Sequence, residues 1–100
     1  MNLPDPDHTR VPRFVPELQL IELVYSDDGY ARVAITQNRQ RLYCIYPERW
    51  DVSDFTVIGE GYWNSWGGGT SITDDIEIAR TMAREVVGTI PRSKVIPNET

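Results

Sequence analysis

The chain has 100 residues, enough for one domain with a single hydrophobic core. Its hydrophobic fraction of 40% and charged fraction of 25% are ordinary for a globular protein, and no stretch approaches the ~20 apolar residues of a membrane span. The net charge of −5 argues against binding to double-stranded nucleic acid, because that affinity comes mainly from neutralising phosphates. The first residues lack the apolar segment of a signal peptide, so we expect a cytoplasmic protein that does not bind membranes.

The two ends of the chain are predicted to lie outside the domain. Residues 1–16 predict an extended, proline-rich arm, because proline breaks helices and is confined to the edges of sheets. Val11, Phe14 and Val15 give this arm apolar side chains with which it could dock on the domain. Residues 91–100 predict a C-terminal tail. The prolines of the arm are Pro4, Pro6, Pro12 and Pro16.

The segment after the arm predicts an antiparallel meander. Apolar and polar residues alternate over about 30–37 and 40–46, and the segment at about 18–25 is rich in residues that favour strands. Turn-forming residues separate the three segments, with Ser26–Gly29 at the first turn and Asn38-Arg39 at the second. The sequence therefore predicts two consecutive hairpins.

The lengths of the two turns predict the register of these strands. A three-residue first loop places Tyr25 opposite Ala31, and a two-residue second loop places Ile35 opposite Leu42. Both pairings give one continuous apolar face, which we expect a helix to cover. The predicted members of that face are Ile21, Leu23, Tyr25, Ala31, Val33, Ile35, Leu42, Cys44 and Tyr46.

A fourth strand and one helix complete the predicted fold. Residues 55–63 predict a strand that bends at its glycines, and residues 74–88 predict an amphipathic helix capped by Thr73 or Asp74. We therefore predict an α+β domain at residues 17–90, in which a three- to four-stranded antiparallel meander sheet and one C-terminal helix form two layers. The apolar stripe of the helix consists of Ile76, Ala79, Met82, Ala83, Val86 and Ile90.

The second face of the predicted sheet is too apolar to be left in water and too charged to form a core. One helix covers only one face, so the arm, a second copy of the chain or a protein partner is expected to cover the other. Tyrosine, tryptophan and arginine are common at the energetic centres of interfaces. The predicted partner-binding residues are Leu20, Val24, Arg32, Arg41, Tyr43, Ile45, Tyr62, Trp63 and Trp66.

The charges are unevenly distributed along the chain. Residues 29–50 carry a net charge of +3, whereas residues 51–79 carry −6 and contain no lysine or arginine. This pattern is typical either of two solvated surfaces of opposite sign or of a field that steers a charged partner.

The sequence contains no recognisable catalytic apparatus, cofactor motif or metal site. His8 is the only histidine and lies in the arm, and Cys44 is the only cysteine and is predicted to face the core. One cysteine and one histidine cannot assemble a usual zinc site. Asp74 and Asp75 are explained by capping of the predicted helix, so we expect no catalytic residues and no cofactor.

These observations predict a non-enzymatic interaction protein that acts through the second sheet face, either as a homodimer or on a protein partner. An acidic inhibitor or immunity-type protein is one example of this class. The alternative is a small-ligand-binding module in which the loop Gly67–Gly69 and the rings of Trp63 and Trp66 hold the ligand. A remote alternative is an enzyme that uses two of its carboxylates, such as Asp51 and Asp54.

Overall fold

The computed structural model describes residues 3–67 and 72–93 and shows an antiparallel sheet with a helix packed on it, which confirms the predicted α+β class. Strands β1 to β4 are neighbours in the order of the chain, and the short β5 pairs with β3. No helix in the described ranges is long and apolar enough to cross a bilayer. The elements are β1 (Gln19–Tyr25), β2 (Ala31–Gln37), β3 (Tyr43–Asp51), α1 (Phe55–Ile58), β4 (Tyr62–Ser65), β5 (Ile72–Thr73) and α2 (Ile76–Val87).

Helix α2 covers one face of the sheet and creates the core. Its N-cap is Asp75 rather than the predicted Thr73 or Asp74, and the Asp75 carboxylate accepts hydrogen bonds from the backbone N–H groups of Glu77 and Ile78. Ala79 and Ala83 are fully buried, so small side chains let the helix approach the sheet closely. The core cluster consists of Ala31, Val33, Ile35, Ile45, Ala79, Ala83, Val87 and Ile90.

The first hairpin has a different register from the predicted one. Tyr25 lies opposite Arg32 rather than Ala31. The loop is one residue longer than expected, because Tyr30 belongs to the turn and the Ser26 N–H donates to the Ala31 carbonyl (2.9 Å). Gly29 takes the left-handed conformation in this loop (φ 77°).

The second hairpin also differs from the prediction, and Ile35 lies opposite Ile45 rather than Leu42. The side-chain oxygen of Asn38 accepts hydrogen bonds from the N–H groups of Gln40 and Leu42 (2.9 and 3.0 Å), which organises a longer loop. Arg41 adopts the left-handed conformation there (φ 63°), which side chains rarely do.

Each of the two changes exchanges the faces of a strand, because successive side chains in a strand point to opposite sides. The face assignment was therefore right for β2 and wrong for β1 and β3. Val24 and Ile45 lie under α2, opposite Val33 and Ile35. Four residues that were predicted to face the helix lie on the second face instead: Leu23, Tyr25, Cys44 and Tyr46.

The predicted fourth strand is partly helical. Residues 55–58 form the single turn of α1, and Gly59 ends it in the left-handed conformation (φ 73°), with its N–H donating to the Phe55 carbonyl (2.8 Å). Strand β4 therefore begins only at Tyr62. The helical turn leaves Val57 and Ile58 74% and 51% exposed.

The arm lies against the second face of the sheet. The ring of Phe14 packs on that of Tyr46, with 5.1 Å between centroids. Val11 and Val15, which were expected to dock with it, are each 58% exposed. Met1, Asn2 and residues 94–100 of the predicted tail lie outside the described residues.

Candidate functional site

A cluster of aromatic rings lies on the second face of the sheet, where β3 and β4 pair. Trp50 and Trp63 are cross-strand neighbours and meet edge to face, with 5.4 Å between centroids. Tyr25 approaches Trp63 from β1, and the guanidinium of Arg32 lies 4.1 Å from the centre of the Trp63 ring. We call this surface the aromatic groove and define it as Tyr25, Arg32, Tyr46, Trp50 and Trp63.

The arm binds the aromatic groove through its backbone. Three side-chain N–H groups of the groove donate hydrogen bonds to arm carbonyls that lie three residues apart. Prolines in this segment remove backbone donors, and residues 3–18 belong to no helix or strand, so their carbonyls are available to side chains. The three bonds run from Trp50 Nε1 to the Pro4 oxygen (3.1 Å), from Trp63 Nε1 to the Asp7 oxygen (2.9 Å) and from Arg32 Nη1 to the Arg10 oxygen (2.7 Å).

His8 also belongs to this contact. Its ring lies 4.8 Å from that of Tyr25, and its Nε2 is 3.0 Å from the Gly29 carbonyl oxygen, to which it donates when protonated at that atom. A Cβ atom at Gly29 would lie 2.9 Å from the His8 ring. The arm histidine therefore packs on the first turn of the sheet.

Arg32 is the most deeply buried charged side chain of the described residues, with 1% exposure. Its Nε donates to Glu48 Oε1 (2.8 Å), and its Nη1 also lies 3.3 Å from the Tyr25 hydroxyl. The guanidinium is thus paired and hydrogen-bonded, as a buried charge must be. Arg32 was predicted to bind a partner, but the arm and Glu48 enclose it, so it can do so only if the arm leaves.

Gly61 allows the Trp50 ring to take its place in the groove. A Cβ atom at this position would lie 2.7 Å from three atoms of the indole, which is far inside van der Waals contact. Gly61→Ala is therefore expected to lower the free energy of unfolding by about 2 kcal/mol, the scale of overpacked sites. Urea denaturation measures this. Gly59→Ala is the control, because a Cβ atom at Gly59 would have no atom within 4 Å. It tests backbone strain alone and is expected to cost about 1 kcal/mol. Equal losses of stability for the two variants would contradict the packing argument.

Helix α2 packs on one face of the sheet, and a second surface lies on that same face, at β4. Helix α2 contacts β1, β2, β3 and β5, and within the described part of the chain it makes no contact with β4. Trp66 is 40% exposed here and lies over the guanidinium of Arg49, 4.3 Å from its ring centre. We call this surface the edge surface. On and beside β4 its members are Arg49, Tyr62, Asn64 and Trp66. The exposed Val57 and Ile58 of α1 are included because a hydrogen bond from Tyr62 to Asp54 joins the start of α1 to β4.

Hydrogen bonds connect the parts of the edge surface. The Tyr62 hydroxyl donates to Asp54 Oδ2 (3.1 Å), which joins β4 to the first turn of α1 and raises the pKa of the phenol. Asn64 Nδ2 donates to Asp51 Oδ2 (3.0 Å). Arg49 Nε is buried and has no hydrogen-bond partner among residues 3–67 and 72–93.

Asp51 fixes the base of the edge surface. Burial alone would raise the pKa of its carboxyl group, but hydrogen bonds from the Ser53 N–H and hydroxyl, from Asn64 and from Ser93 outweigh burial and lower the pKa to about 2. The carboxyl group is therefore ionised at neutral pH. Such a depressed pKa suits a structural anchor rather than a general acid, whose pKa must lie near the operating pH.

The pKa of Asp51 predicts a dependence of stability on pH. The group binds its proton less readily in the folded chain, so its contribution is present above the unfolded pKa of 3.8 and is lost as the pH falls toward 2. Asp51→Asn is expected to cost about 1–2 kcal/mol at pH 7 and much less at pH 2.5. Urea denaturation at both pH values measures the difference, and an equal cost at the two pH values would contradict it.

The structure separates the residues that were predicted to bind a partner. Ile45 is 2% exposed in the core, and Tyr43 and Val24 pack against it, because of the changed register. Leu20 lies opposite Thr36 on the second face, and Arg41 is in an exposed turn. Of the remaining candidates, Arg32 and Trp63 belong to the aromatic groove, and Tyr62 and Trp66 belong to the edge surface.

The predicted ligand site is not assembled on one surface. Trp63 and Trp66 are three residues apart along an extended chain, so they point to opposite faces of the sheet. Gly68 and Gly69 of the predicted loop lie outside the described residues. The arm also contacts the ring of Trp63. The two tryptophans therefore do not line the one pocket that the ligand hypothesis requires.

A cavity of about 560 Å³ lies between the first turn of the sheet and the C-terminal end of α2. Asp28 and Arg92 close one side of it with an ion pair (2.6 Å), and Arg92 lowers the pKa of Asp28 to about 2. Val24, Tyr25 and Arg84 contribute to the rest of its wall. Its wall also contains Asp27, so two acidic and two basic side chains line the cavity. Among the described residues no three acidic, histidine or cysteine side chains lie close enough to hold a metal ion.

The chain matches no known protein-family model, no curated protein and no solved structure.

Proposed function

We propose that the protein is a non-enzymatic binding protein that recognises a basic protein partner through its edge surface. The proposal rests on the exposure of Trp66 at one end of β4, a strand that α2 leaves uncovered, and of Val57 and Ile58 in α1. The hydrogen bond from Tyr62 to Asp54 joins the start of α1 to the other end of β4. Exposed apolar side chains bordered by polar ones are typical of interaction sites on monomeric proteins.

The chemistry of the edge surface defines the partner. Tryptophan and tyrosine are enriched among the residues that dominate binding energy at protein interfaces. Tyr62 begins β4, and Trp66 directly follows its last residue. Asp54 accepts a hydrogen bond from Tyr62, and residues 51–67 contain Asp51, Asp54 and Glu60 but no lysine or arginine. The guanidinium of Arg49 is stacked on the Trp66 ring. A partner that combines an apolar contact with lysine or arginine side chains complements this arrangement.

The same charges favour a foreign partner over a second copy of the chain. In a symmetric dimer the same patch meets itself, so each acidic group would approach an acidic group of the other copy. Residues 51–67 carry Asp51, Asp54 and Glu60 and no lysine or arginine, so self-association through this segment would bring like charges together. A basic partner removes this repulsion and is also steered toward the surface over a longer range.

Affinity capture with matched variants tests this proposal. The wild-type chain, Trp66→Ala, Val57→Ala and the control Ile78→Ala would be used as bait in an extract of the native cell. Ile78 is 50% exposed on α2, away from the edge surface, so its removal matches the loss of apolar area. We expect one protein to be retained by the wild type and by Ile78→Ala, and lost with Trp66→Ala and Val57→Ala.

The captured protein then allows a quantitative measurement. Trp66→Ala is expected to weaken its binding at least tenfold while changing the free energy of unfolding by no more than about 0.5 kcal/mol, as surface substitutions do. Binding should also weaken several-fold between 50 and 300 mM salt. Equal retention by all four baits, or binding that does not respond to salt, would refute the proposal.

A further inference from the structure

The aromatic groove holds the arm in a way that does not depend on most of the arm's side chains. All three of the regularly spaced hydrogen bonds end on backbone carbonyls, at Pro4, Asp7 and Arg10. Every peptide offers carbonyls, so the recognition is general in this respect. What the groove requires is a chain outside helices and sheets whose carbonyls at every third residue can reach its donors.

Proline-containing segments meet that requirement. Proline lacks an N–H group and fixes φ, so such segments stay extended and lose little conformational freedom when they bind. Grooves lined with aromatic side chains bind them for this reason in other proteins. The carbonyls bound here recur every third residue, which is the period of an extended polyproline chain, although the Arg10 N–H donates to the Asp7 carbonyl (3.3 Å), so the chain turns between these two residues.

The arm is a peripheral part of the structure. None of its residues belongs to the buried core cluster, which is built by β2, β3, α2 and Ile90. Leu3, Val11 and Val15 remain 46%, 58% and 58% exposed although the arm is docked. Undocking therefore leaves the packing between sheet and helix in place, and such local openings require less free energy than global unfolding.

The contacts within the groove do not involve the arm. Arg32 is paired with Glu48 and stacked on Trp63, and Trp63 contacts Trp50, so we expect these contacts to persist when the arm leaves. Undocking would free the three donors and would also remove the contacts of His8 and Arg10 with the Gly29 and Gly61 carbonyls and with the Trp63 and Trp50 rings.

We propose that the aromatic groove is a binding site for extended, proline-containing peptide segments of other proteins, and that the arm is its resident, exchangeable ligand. This site is separate from the edge surface and does not depend on the function proposed for it. Because the arm belongs to the same chain, its effective concentration at the groove is in the millimolar range. A free segment must therefore bind tightly enough to displace the arm, or bind to a chain whose arm is loosened.

A peptide of residues 3–14 with a fluorescent label tests the proposal on the full chain. The double variant His8→Ala/Phe14→Ala loosens the tethered arm without changing any residue of the groove. We expect the labelled peptide, which keeps His8 and Phe14, to bind this variant at least tenfold more tightly than it binds the wild type. Fluorescence anisotropy measures the binding, and circular dichroism verifies that the variant is folded.

Two matched controls assign the binding to the groove. Trp63→Phe in the loosened chain keeps an aromatic ring but removes one donor, and we expect it to weaken binding at least fivefold. A peptide in which Pro4, Pro6 and Pro12 are replaced by alanine should bind several-fold more weakly. Binding that responds to neither change would overturn the proposal, and so would a concentration-dependent dimer that exchanges arms but takes up no peptide.

The wild-type chain provides a second measurement that needs no loosened variant. At millimolar concentrations of the unlabelled peptide, the indole N–H resonances of Trp50 and Trp63 should shift progressively, while that of Trp66 should stay in place. Unchanged resonances of Trp50 and Trp63 at 5 mM peptide would overturn the proposal even if the double variant failed to fold.

Discussion

Replacement of Glu48 by alanine is expected to lower the free energy of unfolding by about 3 kcal/mol, measured by urea denaturation at pH 7. The change leaves the guanidinium of Arg32 buried without its carboxylate, and breaking a buried ion pair by removing one partner typically costs 3–5 kcal/mol. We place the effect at the low end because the Arg10 carbonyl and the Trp63 ring still contact the charge.

The exposed ion pair between Glu17 and Arg39 provides the control for Glu48. Its charged atoms are 3.9 Å apart and both side chains are mostly in solvent, so Glu17→Ala should change stability by less than about 0.5 kcal/mol. Glu48→Gln, which keeps a hydrogen-bond acceptor but loses the charge, should fall between the two. A loss of less than 1 kcal/mol for Glu48→Ala would mean that the groove is open to water.

Replacement of Ile45 by alanine is expected to cost about 3 kcal/mol, because this side chain is enclosed between Ile35 and α2. Truncation of buried isoleucine leaves a cavity and typically costs 2–5 kcal/mol. In the register predicted from the turns, Ile45 would lie on the second face, where its truncation would have a small effect if that face bound a foreign partner and a large one if the arm buried it. The comparison with Cys44 therefore distinguishes the two registers.

Cys44 is the matched control for Ile45, since the two neighbours point to opposite sides of β3. Cys44 is half-buried on the second face, opposite Thr36, and Cys44→Ala should cost less than about 1 kcal/mol. A larger loss for Cys44→Ala than for Ile45→Ala, in thermal or urea denaturation, would support the register that the structure excludes.

The fold class and the helix could be predicted because their signals are local. The stripe of apolar residues along α2 repeats with the period of a helix, and Asp75 and Gly88 stand at its two ends. The existence of two hairpins follows in the same way from turn residues. Such signals do not depend on distant parts of the chain.

The register could not be predicted because it depends on the lengths of the two loops, which are one and three residues longer than the turn residues suggested. Tyr30 is a good strand former, yet it belongs to the first turn, and Arg41 takes a left-handed conformation that normally belongs to glycine. The apolar pattern could not correct these errors, since Leu23 and Val24 in β1 fit either face equally well. Residues 55–58 favour strands by type, but they form a helical turn that Gly59 caps in the left-handed conformation.

The aromatic groove was missed for a different reason. The sequence shows a proline-rich arm and three tryptophans, but the bonds between them join residues 46 and 56 positions apart. No local pattern indicates which indole meets which carbonyl. One signal of this contact was available in the sequence. A proline-rich arm that pairs with no strand leaves its carbonyls free, and these carbonyls require hydrogen-bond donors from elsewhere in the chain.

The docking of the arm on the aromatic groove is the central claim, and hydrogen exchange of the three indole N–H groups tests it most directly. In two-dimensional ¹H–¹⁵N NMR spectra, the indoles of Trp50 and Trp63 should exchange at least tenfold more slowly than that of Trp66. They should also show cross-relaxation to protons of residues 4–8. Equal exchange of all three indoles, without contacts to the arm, would show that the groove is empty and would contradict the account.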